Sequence, residues 1–189
     1  MRVYLDNSII GRLQDIKRGV KRKSKMLEED MAILPGLLHF CAQNGIELCV
    51  SDYAGTEIEK LRSSMPDLTN ALMDTLHSFM LIPARNTVRD NNNHPDPGDA
   101  CFTENRVDSL VHKLEDFLLS KTQVKNDTKK QAVKWDACHL AVCKDNGCHV
   151  FLTCDYASIW VYRRFLKRLF GIEIKRPVEL MALVNTARV

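Results

Sequence analysis

The sequence contains no apolar run that approaches the roughly 20 residues needed to cross a bilayer. It also has no charged segment followed by an apolar stretch at its start, which is the pattern of a secretory signal. Met1 is followed at once by a predicted strand at 2–5. These two absences predict a cytoplasmic protein with no membrane partner.

Motifs of several common protein classes are also missing. No G-x-x-x-x-G-K-[ST] phosphate loop occurs, which argues against a nucleoside-triphosphatase. None of the seven cysteines forms a C-x2-C pair, and an odd number in a chain of this size indicates reduced thiols. A zinc site at Cys138, Cys143 and Cys148 is therefore disfavoured against thiols packed in the core or on a helix surface.

The overall composition is that of an ordinary globular domain. The chain has 189 residues, of which 45% are hydrophobic and 27% are charged. This length suits a single domain over 1–189 with a proper core. The net charge of +3 is small, but positive residues cluster at 17–25 and 163–168. Clustered positive charge favours a polyanionic partner such as nucleic acid, the alternative being a solvated helix face.

Short apolar runs alternate with segments of helical periodicity along the chain. The runs predict strands at 2–5, 46–50, 80–83, 149–153 and 172–174. Helices are predicted between and after them, at 8–16, 28–44, 54–63, 65–79, 106–119, 129–146, 159–170 and 177–185. The stretch at 86–105 is rich in Asn, Asp, Pro and Gly and predicts a loop. Alternating strands and helices predict an α/β fold with a central parallel sheet.

Acidic residues in or after apolar runs are the main chemical signal, and they are Asp6, Glu57, Asp136 and Asp155. Asp6 and Asp155 come just after predicted strands, at the edge where open α/β sheets bind their ligands. Carboxylates gathered at that edge repel one another, which raises their pKa values unless a cation joins them. The predicted cofactor is therefore Mg²⁺ or Mn²⁺, because these ions prefer oxygen ligands.

The segments around these acids resemble the four acidic motifs of PIN-domain ribonucleases. They read VYLDNSII, SDYAGTE, WDACHLA and FLTCDY, and they follow the family's order across nearly the whole chain. The resemblance implies a three-layer α/β/α domain that cleaves RNA endonucleolytically with Mg²⁺ or Mn²⁺. Carried over by position, the catalytic and metal-binding residues are Asp6, Glu57, Asp136 and Asp155. Ser8 and Thr153 are expected to orient carboxylates by hydrogen bonds.

The same resemblance implies RNA as the partner. Many members of the family are toxins silenced by an antitoxin, and dimers are common, so an antitoxin protein and a second copy of the chain are further expected partners. The basic segment supplies the predicted contacts to the RNA backbone, which are Lys17, Lys21, Arg22 and Lys23. The chain differs from minimal stand-alone members by a longer loop and helix over residues 86–128.

Each of the four acids also has an ordinary structural explanation. Asp6 could cap the helix that follows it, and Asp155 could cap a turn. Glu57 could be a solvated helix residue, with Glu59 the more relevant acid. Asp136 could be an ordinary helix residue, but in this apolar run a lone carboxylate without a partner would be costly.

A histidine and three aromatic residues near the acids are also open to two interpretations. His139 shares a helix face with Asp136 and is predicted to be a hydrogen-bonded core histidine rather than a general base. Trp135, Tyr156 and Trp160 could stack RNA bases, but packing in the core is the favoured interpretation.

Two other functions stay open at the level of the sequence. The first is a PIN-like module that binds RNA or protein without cutting, which the intact set of four acids disfavours. The second is an unrelated α/β metal hydrolase acting on a small phosphate ester, which would need a deep closed pocket rather than an open acidic cleft.

Overall fold

A parallel β-sheet forms the centre of the molecule. The computed structural model describes residues 1–82, 105–122 and 126–186. Within these ranges the sheet has five strands in the order β3-β2-β1-β4-β5, all of them parallel. The strands are Arg2–Leu5 (β1), Glu47–Ser51 (β2), Met80–Ile82 (β3), Val150–Leu152 (β4) and Ile174–Lys175 (β5).

Eight α-helices connect and flank these strands in the described part of the chain. Those before β3 are Asn7–Lys17 (α1), Lys25–Gln43 (α2), Asp52–Glu59 (α3) and Pro66–Leu76 (α4). Those after β3 are Asn105–Thr122 (α5), Asp127–Asp145 (α6), Arg163–Phe170 (α7) and Pro177–Thr186 (α8), with a 3₁₀ turn at Trp160–Tyr162. Gly45 and Gly147, with φ of +64° and +63°, follow α2 and α6 where the sequence predicts their ends.

Alternation of side chains along the strands separates two apolar layers. Val3 and Leu5 of β1 pack with α1, α2, α4 and α8 on one face of the sheet. Tyr4 points to the other face and packs with α5, α6 and α7, where its ring stacks on Phe151 of β4 at 5.2 Å. The sheet therefore has helices on both faces, and the predicted three-layer α/β/α class is confirmed.

Strand β1 is the point at which the strand order reverses. It pairs with β2 on one side and with β4 on the other, so the chain winds outward from β1 in both directions. The crevice outside the carboxyl ends of two such strands is where open α/β sheets bind ligands. Asp6 follows β1 directly and Asp155 follows β4 closely, so both carboxylates lie at this crevice.

The last strand begins later in the chain than predicted. The sequence predicts it at 172–174, whereas β5 is Ile174–Lys175. Gly171 has a φ of +68° and follows the end of α7, and the N–H of Ile172 donates to the carbonyl of Leu166 at 3.4 Å. Because these two residues close the helix, the chain joins the sheet only after them.

The predicted insertion is described in part. Its predicted loop at 86–105 lies outside the described residues except for Asn105, which begins α5, and this helix packs against α6. None of the helices in the described ranges combines the length and hydrophobicity that a bilayer crossing requires. The single-domain organisation and the cytoplasmic location stay predictions.

Candidate functional site

Asp6 is held by two hydroxyl groups at the end of β1. Its Oδ2 accepts hydrogen bonds from Ser8 Oγ at 2.5 Å and from Thr153 Oγ1 at 2.7 Å. Asp6 is only 6% exposed. It occupies the N-cap position of α1, but its side chain makes no capping hydrogen bond there. The explanation of Asp6 as a simple helix cap is therefore wrong, and its carboxylate faces the crevice between β1 and β4.

Asp155 uses its two carboxylate oxygens differently. Oδ1 accepts from the backbone N–H groups of Ala157 and Ser158, both at 2.9 Å. Oδ2 accepts from Ser158 Oγ at 2.6 Å. The backbone N–H of Asp155 donates to Thr153 Oγ1 at 2.9 Å, and Thr153 also holds Asp6. Asp155 thus caps a turn and at the same time is linked through Thr153 to Asp6.

Asp136 joins the same cluster from helix α6. Its Oδ2 lies 3.0 Å from Ser158 Oγ, the hydroxyl that also contacts Asp155. A serine hydroxyl carries one proton, so it donates to one of these carboxylates at a time. The second contact is a hydrogen bond only when a carboxyl group supplies the proton. Ser158 therefore bridges the two carboxylates, and both contacts are hydrogen bonds at once only when one member of the pair is protonated.

The pKa of Asp136 identifies that member. Burial raises the pKa of Asp136 to about 8, and the negative charges of Asp6 and Asp155 add to the effect. Burial also raises the pKa of Asp6, against the opposing effect of its hydrogen bond from Ser8. The sequence predicts raised values from repulsion between like charges, and here burial is the larger cause.

Glu57 is connected to the cluster through His139. Its Oε2 lies 2.9 Å from His139 Nε2 and accepts a second hydrogen bond from Asn7 Nδ2. On the other side of the imidazole, Nδ1 lies 2.5 Å from the hydroxyl of Tyr4, which contacts Ser51 Oγ at 2.7 Å. Glu57 is therefore held by His139 and Asn7 while its side chain stays partly exposed, so it is not a freely solvated helix residue.

His139 is electrostatically coupled to the carboxylates. It is 2% exposed, so burial on its own would lower its pKa. The hydrogen bond and the charge of Glu57, with the charges of Asp6 and Asp136, outweigh burial and raise the pKa of His139. When protonated, both ring nitrogens donate, one to Glu57 and one to Tyr4. These contacts agree with a hydrogen-bonded core histidine.

The three aspartates have no basic side chain as a partner among the residues that the structure describes. No lysine or arginine nitrogen in these ranges lies within 4.0 Å of a carboxylate oxygen of Asp6, Asp136 or Asp155. Buried carboxylates without a countercharge are costly. Apart from His139, no basic side chain of the described residues balances the charge of the three aspartates.

A hard divalent cation matches this cluster in donor type. All of the donor atoms are carboxylate oxygens, which Mg²⁺ and Mn²⁺ prefer, and the missing charge is positive. Within the described ranges, however, no three His, Cys, Asp or Glu side chains stand close enough to form a ready-made metal site. Hydroxyl groups lie between the acids instead: Thr153 links Asp6 to the backbone of Asp155, and Ser158 links Asp136 to Asp155. Mg²⁺ retains several water molecules, so it needs few direct contacts with the protein.

The predicted RNA-contacting residues lie at the far end of α1. This helix separates Asp6 from Arg18 by about 18 Å at 1.5 Å per residue. Lys17 Nζ donates to Thr75 Oγ1 at 3.4 Å, and Arg22 pairs with Asp15 at 2.7 Å. Lys21 and Lys23 are exposed and form no ion pair with an acid in the described part of the chain. The structure does not bring these four residues into contact with the acidic cluster.

The three aromatic residues are packed against their neighbours. Trp135 is 4% exposed and meets the ring of Tyr53 edge-on at 5.3 Å. Tyr156 meets Trp160 edge-on at 5.8 Å, and its hydroxyl donates to the buried Asp30. Trp160 Nε1 donates to Glu179 at 3.2 Å. Packing, the favoured interpretation from the sequence, describes all three.

Three polar residues at this site were not predicted from the sequence: Ser158, Tyr4 and Asn7. Ser158 lies three residues after Asp155, a spacing at which an aspartate in a turn accepts from the backbone. Tyr4 lies in a buried strand, where its hydroxyl requires a partner. Both signals are local and were available in the sequence. Asn7 offers no comparable signal, because its partner Glu57 is 50 residues away.

The comparisons with family models and with curated proteins found no match. No protein-family model matches the chain. No curated protein matches it either. Membership of the PIN-domain family therefore stays a prediction that rests on the four acidic segments. The same holds for an antitoxin and a second copy of the chain as partners.

Proposed function

We propose that this protein is an Mg²⁺- or Mn²⁺-dependent endoribonuclease that hydrolyses RNA phosphodiester bonds. The observation that carries the proposal is the group of three carboxylates at the carboxyl ends of β1 and β4, without a lysine or arginine partner in the described ranges. The resemblance of the surrounding segments to PIN-domain motifs supports RNA as the substrate. The location at the reversal of strand order supports a ligand-binding role.

Each side chain of the cluster has a distinct role in this proposal. Asp6, Asp136 and Asp155 would hold the cation, while Ser8, Thr153 and Ser158 fix the carboxylates through hydrogen bonds. Glu57, fixed by His139, adds negative charge at the edge of the cluster. A divalent cation held there would supply positive charge against the phosphodiester and would lower the pKa of a bound water molecule.

A cleavage assay tests the proposal directly. Purified protein is incubated with a mixture of structured and single-stranded RNA in Mg²⁺, in Mn²⁺ and in EDTA. We expect cutting with either metal and none in EDTA. Cutting that persists in EDTA would contradict the metal-dependent mechanism, and the absence of cutting in all three would contradict the proposed activity.

The alternative function is a PIN-like module that binds RNA or protein without cutting. Two observations favour it: the lack of a ready-made metal site in the described ranges and the engagement of Glu57 by His139. A small-ester hydrolase is less well supported, because the cavity that Glu57 lines is an open groove. RNA binding measured by anisotropy, together with no cutting in the assay above, would identify the binding module.

The pH dependence of cleavage is expected to follow Asp136. Below its raised pKa of about 8, the carboxyl retains a proton that a divalent cation must displace. We expect cleavage at limiting Mg²⁺ to rise with pH and to reach half of its maximum near pH 8. The midpoint should move to lower pH as Mg²⁺ is increased, because the ion competes with the proton. Initial cleavage rates over a pH series at several Mg²⁺ concentrations measure this midpoint. A midpoint at about pH 4, the ordinary pKa of aspartate, would exclude Asp136 as the controlling group.

The basic segment is expected to contribute electrostatic binding of RNA. Replacing Lys21 and Lys23 together by glutamine should weaken binding and reduce the slope of log affinity against log salt by about 0.7 for each lost phosphate contact on a single strand. Fluorescence anisotropy of labelled RNA over a salt series measures this slope. The double variant Lys113→Gln and Lys144→Gln, at exposed sites elsewhere, is the control with the same charge change. An equal slope in both double variants would remove the basic segment from the RNA-binding surface.

A further inference from the structure

An open groove lies beside the acidic cluster, between helix α3 and the first half of helix α6. Its volume is about 610 Å³, which is within the range of roughly 300–1,000 Å³ typical of ligand sites. The groove is lined by Glu57, Lys60, Asp127, Thr128, Gln131, Ala132 and Trp135. Each of these side chains comes from one of the two helices or from the residue that follows α3.

The groove borders the proposed active site at Glu57, and Trp135 brings it close to Asp136 along α6. Glu57, which lines one end of it, is the acid that His139 holds at 2.9 Å. Trp135 directly precedes Asp136 on α6. Lys60 follows Glu57 by three residues, so it lies on the same side of α3, one helical turn further from the cluster. A polymer that reaches the carboxylates from this side passes over Lys60 and Trp135.

Lys60 is placed to bind an anion in this groove. Its ammonium group lies 4.3 Å from the ring centre of Trp135, within the range of a cation–π contact. In the described part of the chain Lys60 forms no ion pair with a carboxylate. The two acids of the groove already have partners, since Glu57 contacts His139 and Asp127 pairs with Lys130 at 3.0 Å. The charge of Lys60 is therefore available to a ligand.

Trp135 is a rigid aromatic ring in the wall of the groove, and Lys60 covers it. Tyr53 meets its ring edge-on at 5.3 Å, and the residue is 4% exposed with Lys60 over the ring. A planar ligand therefore reaches the ring face only when the Lys60 side chain moves aside. A lysine side chain is long and flexible, and Lys60 is exposed. Its ammonium group can therefore leave the ring of Trp135 and contact a phosphate.

We propose that this groove binds single-stranded RNA next to the phosphodiester that is cut, with Lys60 on a backbone phosphate and a base stacked on Trp135. The inference rests on the proposed function for its substrate. Stacking on an aromatic ring and contact with a phosphate are both independent of base identity. The groove therefore provides affinity and alignment of the strand rather than recognition of a sequence.

The test uses the full chain with Asp136→Asn, so that RNA is bound without being cut. Affinity for a fluorescein-labelled single-stranded oligoribonucleotide is measured by anisotropy for the parent, Lys60→Gln, Lys60→Arg and Lys113→Gln. We expect Lys60→Gln to weaken binding about tenfold and to lower the salt slope by about 0.7. Lys60→Arg should restore most of the affinity, and Lys113→Gln, at an exposed site on α5, should bind within twofold of the parent.

Tryptophan emission provides a second readout of the same site. The chain has two tryptophans, so Trp160→Phe in the Asp136→Asn background leaves Trp135 as the single emitter. We expect its emission to change with RNA and to saturate at the affinity found by anisotropy. Unchanged emission at saturating RNA, or equal affinity of Lys60→Gln and the parent, would overturn the proposal.

Cleavage with Asp136 intact separates this inference from the proposed function. If the groove binds RNA but the native protein cuts none, the groove stands and the nuclease proposal fails. If the native protein cuts RNA and Lys60→Gln has an unchanged KM, the nuclease proposal stands and the groove proposal fails.

Discussion

Replacing Asp136 by asparagine is expected to lower RNA cleavage by about a thousandfold or more, because it removes an oxygen ligand with a full negative charge from the cation site. The same change should stabilise the metal-free protein. Burial beside Asp6 and Asp155 raises the pKa of Asp136 to about 8 from an ordinary value of 3.8, so the fold favours the protonated form. The contribution of Asp136 to the stability of the metal-free protein therefore becomes less favourable as the pH rises from 3.8 towards about 8.

The asparagine variant removes this loss of stability. Part of Asp136 is open to solvent, so the gain at neutral pH is smaller than the roughly 6 kcal/mol that the full shift implies, and we expect about 1–3 kcal/mol. For a domain of this size each kcal/mol raises Tm by about 2–4 °C. Thermal unfolding in EDTA at several pH values measures the effect.

Asp145→Asn is the matched control for this prediction. Asp145 is the last residue of the same helix and is exposed, so its replacement changes the same charge outside the cluster. We expect near-native cleavage and a free energy of unfolding within about 0.5 kcal/mol of the native protein. Near-native cleavage by Asp136→Asn would remove Asp136 from the active site.

Replacing His139 by alanine is expected to destabilise the fold by about 3–5 kcal/mol. The change leaves a cavity at a residue that is 2% exposed. It also deprives Glu57 and Tyr4 of their shared hydrogen-bond partner. Urea unfolding measures the free energy, and a change in the midpoint without a change in slope indicates a change in stability.

Two further variants separate the cavity from the lost hydrogen bonds. His139→Gln fills most of the space and keeps an amide donor, so it should cost less than the alanine variant. His112→Ala removes an exposed histidine of α5 and should have little effect, within about 0.5 kcal/mol. If His139→Ala were as stable as the native protein, the network of Tyr4, His139 and Glu57 would not support the fold.

The fold class could be predicted from the sequence because its signals are local. Strand β1 at 2–5 has the predicted bounds, and the central sheet is parallel as expected. The places of Asp6 and Asp155 at one edge follow from their positions after strands. Strand β5 was misplaced because the closure of α7 at Gly171 and Ile172 is decided by helix-end geometry rather than by hydrophobicity.

The internal contacts of the site could not be read from the sequence in the same way. Glu57 and His139 are separated by 82 residues, and their hydrogen bond depends on how α3 and α6 are placed relative to the sheet. Asp136 lies on a helix, so periodicity alone does not bring it to the edge where Asp6 and Asp155 lie. The contact of Asp136 with Ser158 fixes it there, and only the folded chain shows it.

Binding of Mn²⁺ tests most directly the central claim that the three aspartates form a divalent-cation site. Calorimetric titration of Mn²⁺ into the native protein, Asp136→Asn and Asp145→Asn, at one pH and without RNA, gives the affinity and stoichiometry for each. The cluster predicts saturable binding to the native protein and to Asp145→Asn, and binding at least about tenfold weaker to Asp136→Asn. Equal binding by all three proteins, or none by the native protein, would contradict a cation site at Asp6, Asp136 and Asp155.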